Sequence, residues 1–536
     1  MKTKPFAITL DARTSLNNKT GSWRNRKPVY VDRIPPCNMT CPSGHDIQAW
    51  LTKVQAGDIK GAWDIMVRNN PFPAVMGRVC YHPCEMACNR GHHDSSVNIN
   101  LTERYVGDEA IKNKWKFDFN ASQSGKRVLI IGSGPAGLTA AYFLRMFGHS
   151  VTIFEEKQKL GGMMRYGIPC YRLSREVLDS EINRIIETGV EVKTGFKPSS
   201  LAQYRSEYDA IFIATGAHKA TKLKLEQCEG NVFDAVDILR KIEDDGPESI
   251  QLGNNVIVYG GGNTAIDVAR TAIRLGCKNV KIVYRKTVDV MPAHKTEIEE
   301  AIAEGVEIVC LNVIKRISGT TVVLEHVSVE DGEYVNNGKL EEIQADSVVF
   351  AIGQSIDDKI LSNIPEIVVS DKGVIEVDSQ MMTGANGIFA GGDVTPSKRT
   401  VTTAIGNGKK AARCIDAYLR GEKYTKPELH EVATIKKLNL NYYEHSDGHK
   451  RALQTSDNFN EVGESLTKEQ AVFEARRCMS CGNCMSCDNC IAICPDAAIK
   501  KDAEGRLYID YDYCKGCGIC ERECPCGSIR MEAEDK

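Results

Sequence analysis

Twice along this chain a short, wholly apolar run gives way to a glycine turn and then to a helical pattern. In residues 126–138, KRVLIIGSGPAGL, the run Val128, Leu129, Ile130 and Ile131 predicts a strand buried on both faces. Gly132, Gly134 and Gly137 follow at G-x-G-x-x-G spacing, with Pro135 and Ala136 inside the turn, and residues 138–146 read as a helix. The first glycine permits the tight turn, the second lets backbone approach a pyrophosphate, and the third lets helix and strand pack closely. The phosphates then face the positive end of the helix. The next apolar run, VTIFEE, ends in Glu155, about twenty residues on, where a carboxylate holds a ribose hydroxyl. A bound dinucleotide is expected here.

The second unit is VIVYGGGNTAIDVARTAI from Val256, with Gly260, Gly262 and Ala265 as G-x-G-x-x-A and Asn263 and Thr264 opening the helix. Its next strand ends in Arg285 and Lys286, the place that Glu155 holds in the first unit. A carboxylate there repels a 2′-phosphate and a guanidinium binds it, so this site leans toward NADP over NAD; a basic strand end in solvent is the plain alternative. Loop 160–169, with Gly162 and Arg165, is placed to cover a cofactor ring, and strand 208–217 leads to a turn at Thr215 and Gly216. Strand 346–354 ends near Gly353. Strand 386–394 ends in Gly391, Gly392 and Asp393, and a helix starts within 400–412, where its N-terminus stabilises negative charge on a reduced ring. The fold class expected is α/β, with two nested Rossmann-like domains, the second inserted in the first.

Cysteine changes the picture. Of 21, five lie from Cys37 to Cys88 and eleven from Cys478 to Cys526. Clustered thiols in a reducing compartment are metal ligands before they are disulfides. C-x2-C-x2-C-x3-C-P occurs at Cys484, Cys487, Cys490 and Cys494, and again at Cys514, Cys517, Cys520 and Cys524. This doubled run predicts two [4Fe–4S] clusters, the fourth cysteine of each run crossing to the other cluster. Cys526 is left over as structural. Near the N-terminus, two short helices over 46–54 and 59–66 separate Cys37 and Cys41 from Cys80, Cys84 and Cys88. Those five suit iron–sulfur or zinc, and they cannot complete two four-thiolate sets. The net charge of -3 and the lack of a basic run argue against nucleic acid. No apolar stretch reaches the roughly 18 residues of a membrane span, and MKTKPFAITL lacks a signal-peptide core, so a cytoplasmic protein is expected.

The N-terminal cysteines together with GSGPAGL, VTIFE, GGMMRYGIP, ATGA, GGGNTAIDVA, YRK, FAIGQ and FAGGDV resemble the small subunit of NADPH-dependent glutamate synthase. They are similar too to the electron-entry half of dihydropyrimidine dehydrogenase and to the large subunit of the bifurcating ferredoxin:NADP transhydrogenase. The resemblance spans about 35–415, and the part fused behind it is similar to a bacterial two-cluster ferredoxin, which implies a C-terminal α+β bacterial ferredoxin-like domain. It implies FAD in the first site, NAD(P)H in the second, and two [4Fe–4S] clusters in an N-terminal α-helical domain. It places Asp393 at the flavin's ribityl side and Thr402 and Ala404 near its ring. The division implied is an arm over 1–34, the helical iron–sulfur domain over 35–120, FAD over 121–250 and 376–420, NAD(P) over 251–375, a linker over 421–475, and the ferredoxin-like domain over 476–536.

Two departures stand out. The family's opening C-x2-C is missing, and Cys478 with Cys481 looks like that motif moved to the other end of the chain. The pair is expected to join Cys37 and Cys88 around one cluster. The second cluster would take Cys41, Cys80, Cys84 and Glu103, which falls near a non-cysteine ligand of relatives. The alternative is one N-terminal cluster with Cys478 and Cys481 idle. Val288 also stands where relatives place another arginine, which weakens the preference for NADP. No C-x-x-C lies in the nucleotide unit and no catalytic side chain is assigned. The expected role is electron transfer between NAD(P)H, FAD and clusters, to or from a catalytic partner subunit. That partner is a glutamate synthase large subunit or a 2-oxoacid:ferredoxin oxidoreductase. A free-standing or bifurcating ferredoxin:NAD(P) oxidoreductase working with soluble ferredoxin, and a non-enzymatic scaffold, are the alternatives.

Overall fold

The computed structural model describes residues 19–118, 121–221, 223, 225–361 and 363–534. The apolar runs become the centres of two parallel sheets. In the first, Arg127–Ile131 lies between Ser150–Phe154 and Ala210–Ile213, with Glu191–Lys193 and Ile388–Ala390 at the edges. Helices Pro135–Met146 and Val401–Leu419 pack on one face. In the second, the order is Glu307–Cys310, Asn279–Tyr284, Asn255–Tyr259, Ser347–Phe350 and Val232–Asp234, all parallel. An antiparallel meander of Asn312–Ser318, Thr321–Glu330 and Glu333–Gln344 stands beside it.

The sheets divide the chain differently from the expected boundaries. Val232–Asp234 pairs into the second sheet, so the inserted unit begins ahead of residue 251. Ile356, Ile360, Leu361 and Ile364 already pack against Leu129 and Ile131 of the first, so it ends ahead of residue 375. A strand three residues long leaves no periodicity to read.

The helical domain follows its caps. Asp46 accepts from the amide of Ala49 at the start of Ile47–Gln55, and Asp58 from that of Gly61 at the start of Ile59–Val67. Trp50 and Trp63 are wholly buried between these helices and Ile99–Lys112. Burying side chains of this size stabilises by roughly 2–3 kcal/mol each. Leu466, Ala471 and Ala475, from the far end of the sequence, close the same core.

Both segments expected to be loose are tied down. Of the arm, residues 1–18 lie outside the described residues, but Arg26–Tyr30 pairs antiparallel with Ile529–Ala533 and extends the C-terminal domain. The linker is a strap. Glu461 accepts from Arg78 at 2.6 Å and from Arg104 at 2.7 Å, on the helical domain. The carbonyls of Gln454 and Asn458 accept from Arg270 at 2.8 Å and Arg274 at 2.9 Å, on the inserted unit. The amide of Val462 donates to Tyr171 O at 2.7 Å, on the first unit. No helix among the described residues is long and apolar enough to cross a membrane.

Candidate redox centre

Three helix N-termini converge on one cavity of about 530 Å³. The first glycine turn lines it with Gly132, Gly134, Pro135 and Ala136, and the next strand end with Glu155. Thr215, Gly216, Gly162 and Asp393 line it too, with Ala404 from the first turn of Val401–Leu419. Asn263 and Thr264 bring the helix start of the inserted unit to the same space. Helix N-termini favour anions, so the cavity suits pyrophosphates and a negatively charged ring. Glu155 is held rigidly: Oε2 accepts from the Ser133 amide at 2.9 Å and hydroxyl at 2.6 Å, and Oε1 from the Lys157 amide at 2.8 Å. Burial pushes the Asp393 carboxyl up, with Arg399 opposing.

Other expected residues stand elsewhere. Gly137, Gly260, Gly262, Gly353 and Gly392 are absent from the lining; Gly260 passes the chain closely by Ala351 O, 2.3 Å from an ideal Cβ. Arg165 turns from the cavity to its own scaffold, bonding Leu160 O at 2.6 Å and pairing with Asp179 and Glu243. Arg285 and Lys286 lie outside the cavity at the end of Asn279–Tyr284, with the Lys286 ammonium 5.2 Å from the Tyr334 ring centre. Thr402 also departs from expectation. Its hydroxyl donates to Cys80 Sγ at 3.2 Å, on the opposite side of the helix from Val401 and Ala404. Tyr166, His218 and Arg399 line the cavity unannounced by any spacing pattern. So does the buried pair Arg172–Asp267, at 2.8 Å, which joins the two nucleotide units.

Fifteen of the 21 cysteines gather in four sets. Cys41, Cys80 and Cys84 line one chamber with Glu103, His45 and Thr402. Cys37, Cys88, Cys478 and Cys481 line a second. Each N-terminal run thus serves both chambers, Cys37 and Cys41 lying one turn apart, as do Cys84 and Cys88. In the C-terminal domain, Cys490 is in electrostatic reach of Cys484, Cys487 and Cys524, and Cys520 of Cys514, Cys517 and Cys494. The donor chemistry fits iron. Burial pushes Cys80 and Cys478 up to about 12 and Glu103 up to about 8. Deprotonated sulfur and carboxylate so enclosed need a cation beside them. His45 Nε2 is buried there without a hydrogen-bond partner, 3.7 Å from Glu103 Oε1.

One helix joins cavity and chamber. An ideal Cβ on Gly408 would fall 2.3 Å from Ala136 O in the dinucleotide turn, and one on Gly406 2.2 Å from Pro42 O in the Cys41 loop. Only hydrogen at both positions lets Val401–Leu419 touch both.

Arg477 locks the second chamber. Its guanidinium reaches Asp94 at 3.2 Å, Ser95 O at 2.6 Å and Ser446 O at 2.8 Å. Burial pushes Asp94 up, but hydrogen bonds from Arg90 and from the amides of Ser446 and Ser95 outweigh it and hold the carboxyl below its usual range. A depressed folded pKa gives stability that is present above the unfolded value, about 3.9, and lost as pH falls below it. Asp94→Asn is expected to cost about 3–5 kcal/mol at neutral pH, the cost of leaving the buried Arg90 guanidinium without its carboxylate, while Arg477 keeps Glu474 at 2.8 Å. Thermal unfolding of the holoprotein checks this, and the deficit should shrink below about pH 4.

Comparison with known proteins accords with these features. The model of the pyridine nucleotide-disulphide oxidoreductase family matches residues 126–408. That of dihydropyrimidine dehydrogenase domain II, 4Fe-4S cluster, matches 32–115, and that of the 4Fe-4S dicluster domain matches 483–528. The NADP(+)-dependent formate dehydrogenase subunit beta of Moorella thermoacetica is 35% identical over 72% of this chain, which spans 60% of that protein's length. The NADPH-Fe(3+) oxidoreductase subunit beta of Geobacter sulfurreducens is 32% identical over 85% of this chain and 77% of its own length. The glutamate synthase [NADPH] small chain of Azospirillum brasilense is 33% identical over 73% of this chain and 87% of its own. The nested sheets, the shared cavity and these matches together show that the chain belongs to the pyridine nucleotide-disulphide oxidoreductase family, as an NAD(P)H-dependent FAD enzyme with [4Fe–4S] domains toward both ends.

Proposed function

We propose that this chain is the electron-transfer subunit of a cytoplasmic oxidoreductase complex, carrying electrons between NAD(P)H and a catalytic partner through FAD and four [4Fe–4S] clusters. The contact that carries this reading is the helix Val401–Leu419, one face on the dinucleotide cavity and the other, through Thr402, on Cys80. A nicotinamide exchanges two electrons at once and a cluster one, and the flavin between them handles both.

The chain's own residues hold and order these groups. Glu155 and the turn at Gly132 hold the flavin nucleotide, with Asp393 at its ribityl side. Asn263 and Thr264 present a helix N-terminus to the pyrophosphate of NAD(P), and Arg285 and Lys286 take the 2′-phosphate. The cluster order follows the ligands: first Cys41, Cys80, Cys84 and Glu103; then Cys37, Cys88, Cys478 and Cys481. Three residues beyond Cys481 begins the set Cys484, Cys487, Cys490 and Cys524, and the set Cys494, Cys514, Cys517 and Cys520 lies last. Names among the relatives support the partner class, a formate dehydrogenase, a glutamate synthase and an Fe(3+) oxidoreductase each contributing a subunit. For this chain the partner is a glutamate synthase large subunit or a 2-oxoacid:ferredoxin oxidoreductase.

Anaerobic mixing with NADPH should bleach flavin and iron–sulfur absorbance together; no bleaching with either nucleotide overturns the reading. Arg285→Ala should raise KM for NADPH about tenfold, the scale of one charge-assisted contact, and leave NADH unchanged. Equal or better use of NADH by the native chain overturns the 2′-phosphate assignment. Isolation of the untagged native protein without a partner would favour a free-standing ferredoxin:NAD(P) oxidoreductase.

A further inference from the structure

Among the described residues, Lys409 is buried without a carboxylate partner. It lies on Val401–Leu419, between the dinucleotide turn and the Cys41 loop, and is 7% exposed. Its ammonium donates to Ser43 O, to Gly44 O at 3.4 Å and to Asn69 Oδ1 at 3.1 Å, and none of these is an anion. Gly44 closes over it, leaving an ideal Cβ only 3.1 Å from Nζ. Among the described residues, Arg413 and His45 are the other basic groups in electrostatic reach, and the Cys41 thiol is the acidic one, which favours the ammonium when it is ionised. A buried cation is costly unless an opposite charge lies near it. In this protein other buried cations do have carboxylates: Arg270 pairs with Glu297, Glu300 and Glu304, and Arg172 with Asp267 and Glu297. Lys409 has instead the loop that carries Cys41, whose chamber also holds Cys80, Cys84 and Glu103.

We infer that Lys409 is the counter-ion of the cluster held by Cys41, Cys80, Cys84 and Glu103, and that its charge raises the reduction potential of that cluster so that it accepts electrons from the neighbouring flavin. The inference rests on the cluster assignment proposed above. A [4Fe–4S] core with four anionic ligands carries about two negative charges oxidised and about three reduced, and net charge is one determinant of its potential. A fixed positive charge in a low-dielectric interior therefore favours the reduced form. The lysine touches no reacting atom; it acts through the field it places on the cluster, a positioning role. Its place on the helix that also meets the flavin turn puts the charge where the first one-electron step begins.

The test is a potentiometric EPR titration of the holoprotein, following the signal that Cys84→Ser alters. Lys409→Met keeps the methylenes and removes the charge, and Lys409→Gln also keeps a hydrogen-bond donor. Both should shift that one signal to a more negative midpoint, leave the remaining clusters where they were, and retain full iron. If Lys409→Gln titrates like the native chain, the hydrogen bonds and not the charge matter, and the inference is overturned. An unmoved midpoint in Lys409→Met with full iron overturns it as well. A native chain with no signal sensitive to Cys84→Ser overturns the cluster assignment itself, which separates the two failures.

Discussion

Fully assembled protein should contain about sixteen irons and as much acid-labile sulfide, and a Cys478→Ser, Cys481→Ser double variant should retain about twelve. The expectation rests on a chamber built from both ends of the chain, with Cys37 and Cys88 on one side and Cys478 and Cys481 on the other. Asn89 donates to Cys481 Sγ at 3.4 Å, and burial pushes Cys481 up to about 11. Four enclosed thiols with no disulfide among them match the donor set of a cluster. The native chain with about twelve irons would sink the four-cluster reading, and an unchanged count in the double variant would show Cys478 and Cys481 to be idle. The loss should be confined to one cluster, because the cysteines gathered in the two ferredoxin-like sets all come from residues 484–524.

Gly137→Val should abolish flavin retention, lowering occupancy of the purified protein more than tenfold while the C-terminal iron stays bound. Gly137 sits in the first turn of Pro135–Met146, and an ideal Cβ there would meet Gly132 O at 2.0 Å and Ile130 Cγ2 at 3.2 Å. The first of these is backbone of the turn itself, so relief requires the helix to lift off the strand. That displaces the helix N-terminus from the cavity and with it the amides that face the pyrophosphate. Overpacking of this kind costs typically 1–3 kcal/mol where a core can adjust, and more where the obstacle is backbone. Flavin released on denaturation, compared with iron in the same sample, measures the effect. Native flavin content in the variant would show that this turn does not hold the cofactor.

Much of the site is legible in the sequence because its chemistry is local. The strand–turn–helix at Gly132, the matching turn at Gly260 and the two C-x2-C-x2-C-x3-C-P runs each need their residue types at fixed spacing, since one turn, or three of a cluster's four ligands, must come from within a dozen residues. The caps Asp46 and Asp58 are local in the same way, each side chain accepting from an amide three residues on. Arg165 shows where that logic fails: a loop over a cofactor makes a basic residue look like a ligand contact, and only the presence of Asp179 and Glu243 reveals its structural use. Thr402 is a second case, since neighbouring positions on one helix turn face different partners, and which face meets the cluster depends on a domain more than three hundred residues away.

The sequence alone thus determined the family, the nesting of two dinucleotide units and the presence of iron–sulfur domains toward both ends. Tertiary structure alone decided how the pieces join: that Arg26–Tyr30 is a strand of the C-terminal domain and that the segment after residue 421 straps three domains together; it also places Cys478 and Cys481 in a chamber with Cys37 and Cys88, the grouping expected from the sequence. The physical reason is range. Backbone geometry and cluster spacing act over a few residues and leave a mark in the order of the amino acids, whereas burial of Arg477 on Asp94, or of Lys409 beside the Cys41 loop, is set by which surfaces come to face each other after folding.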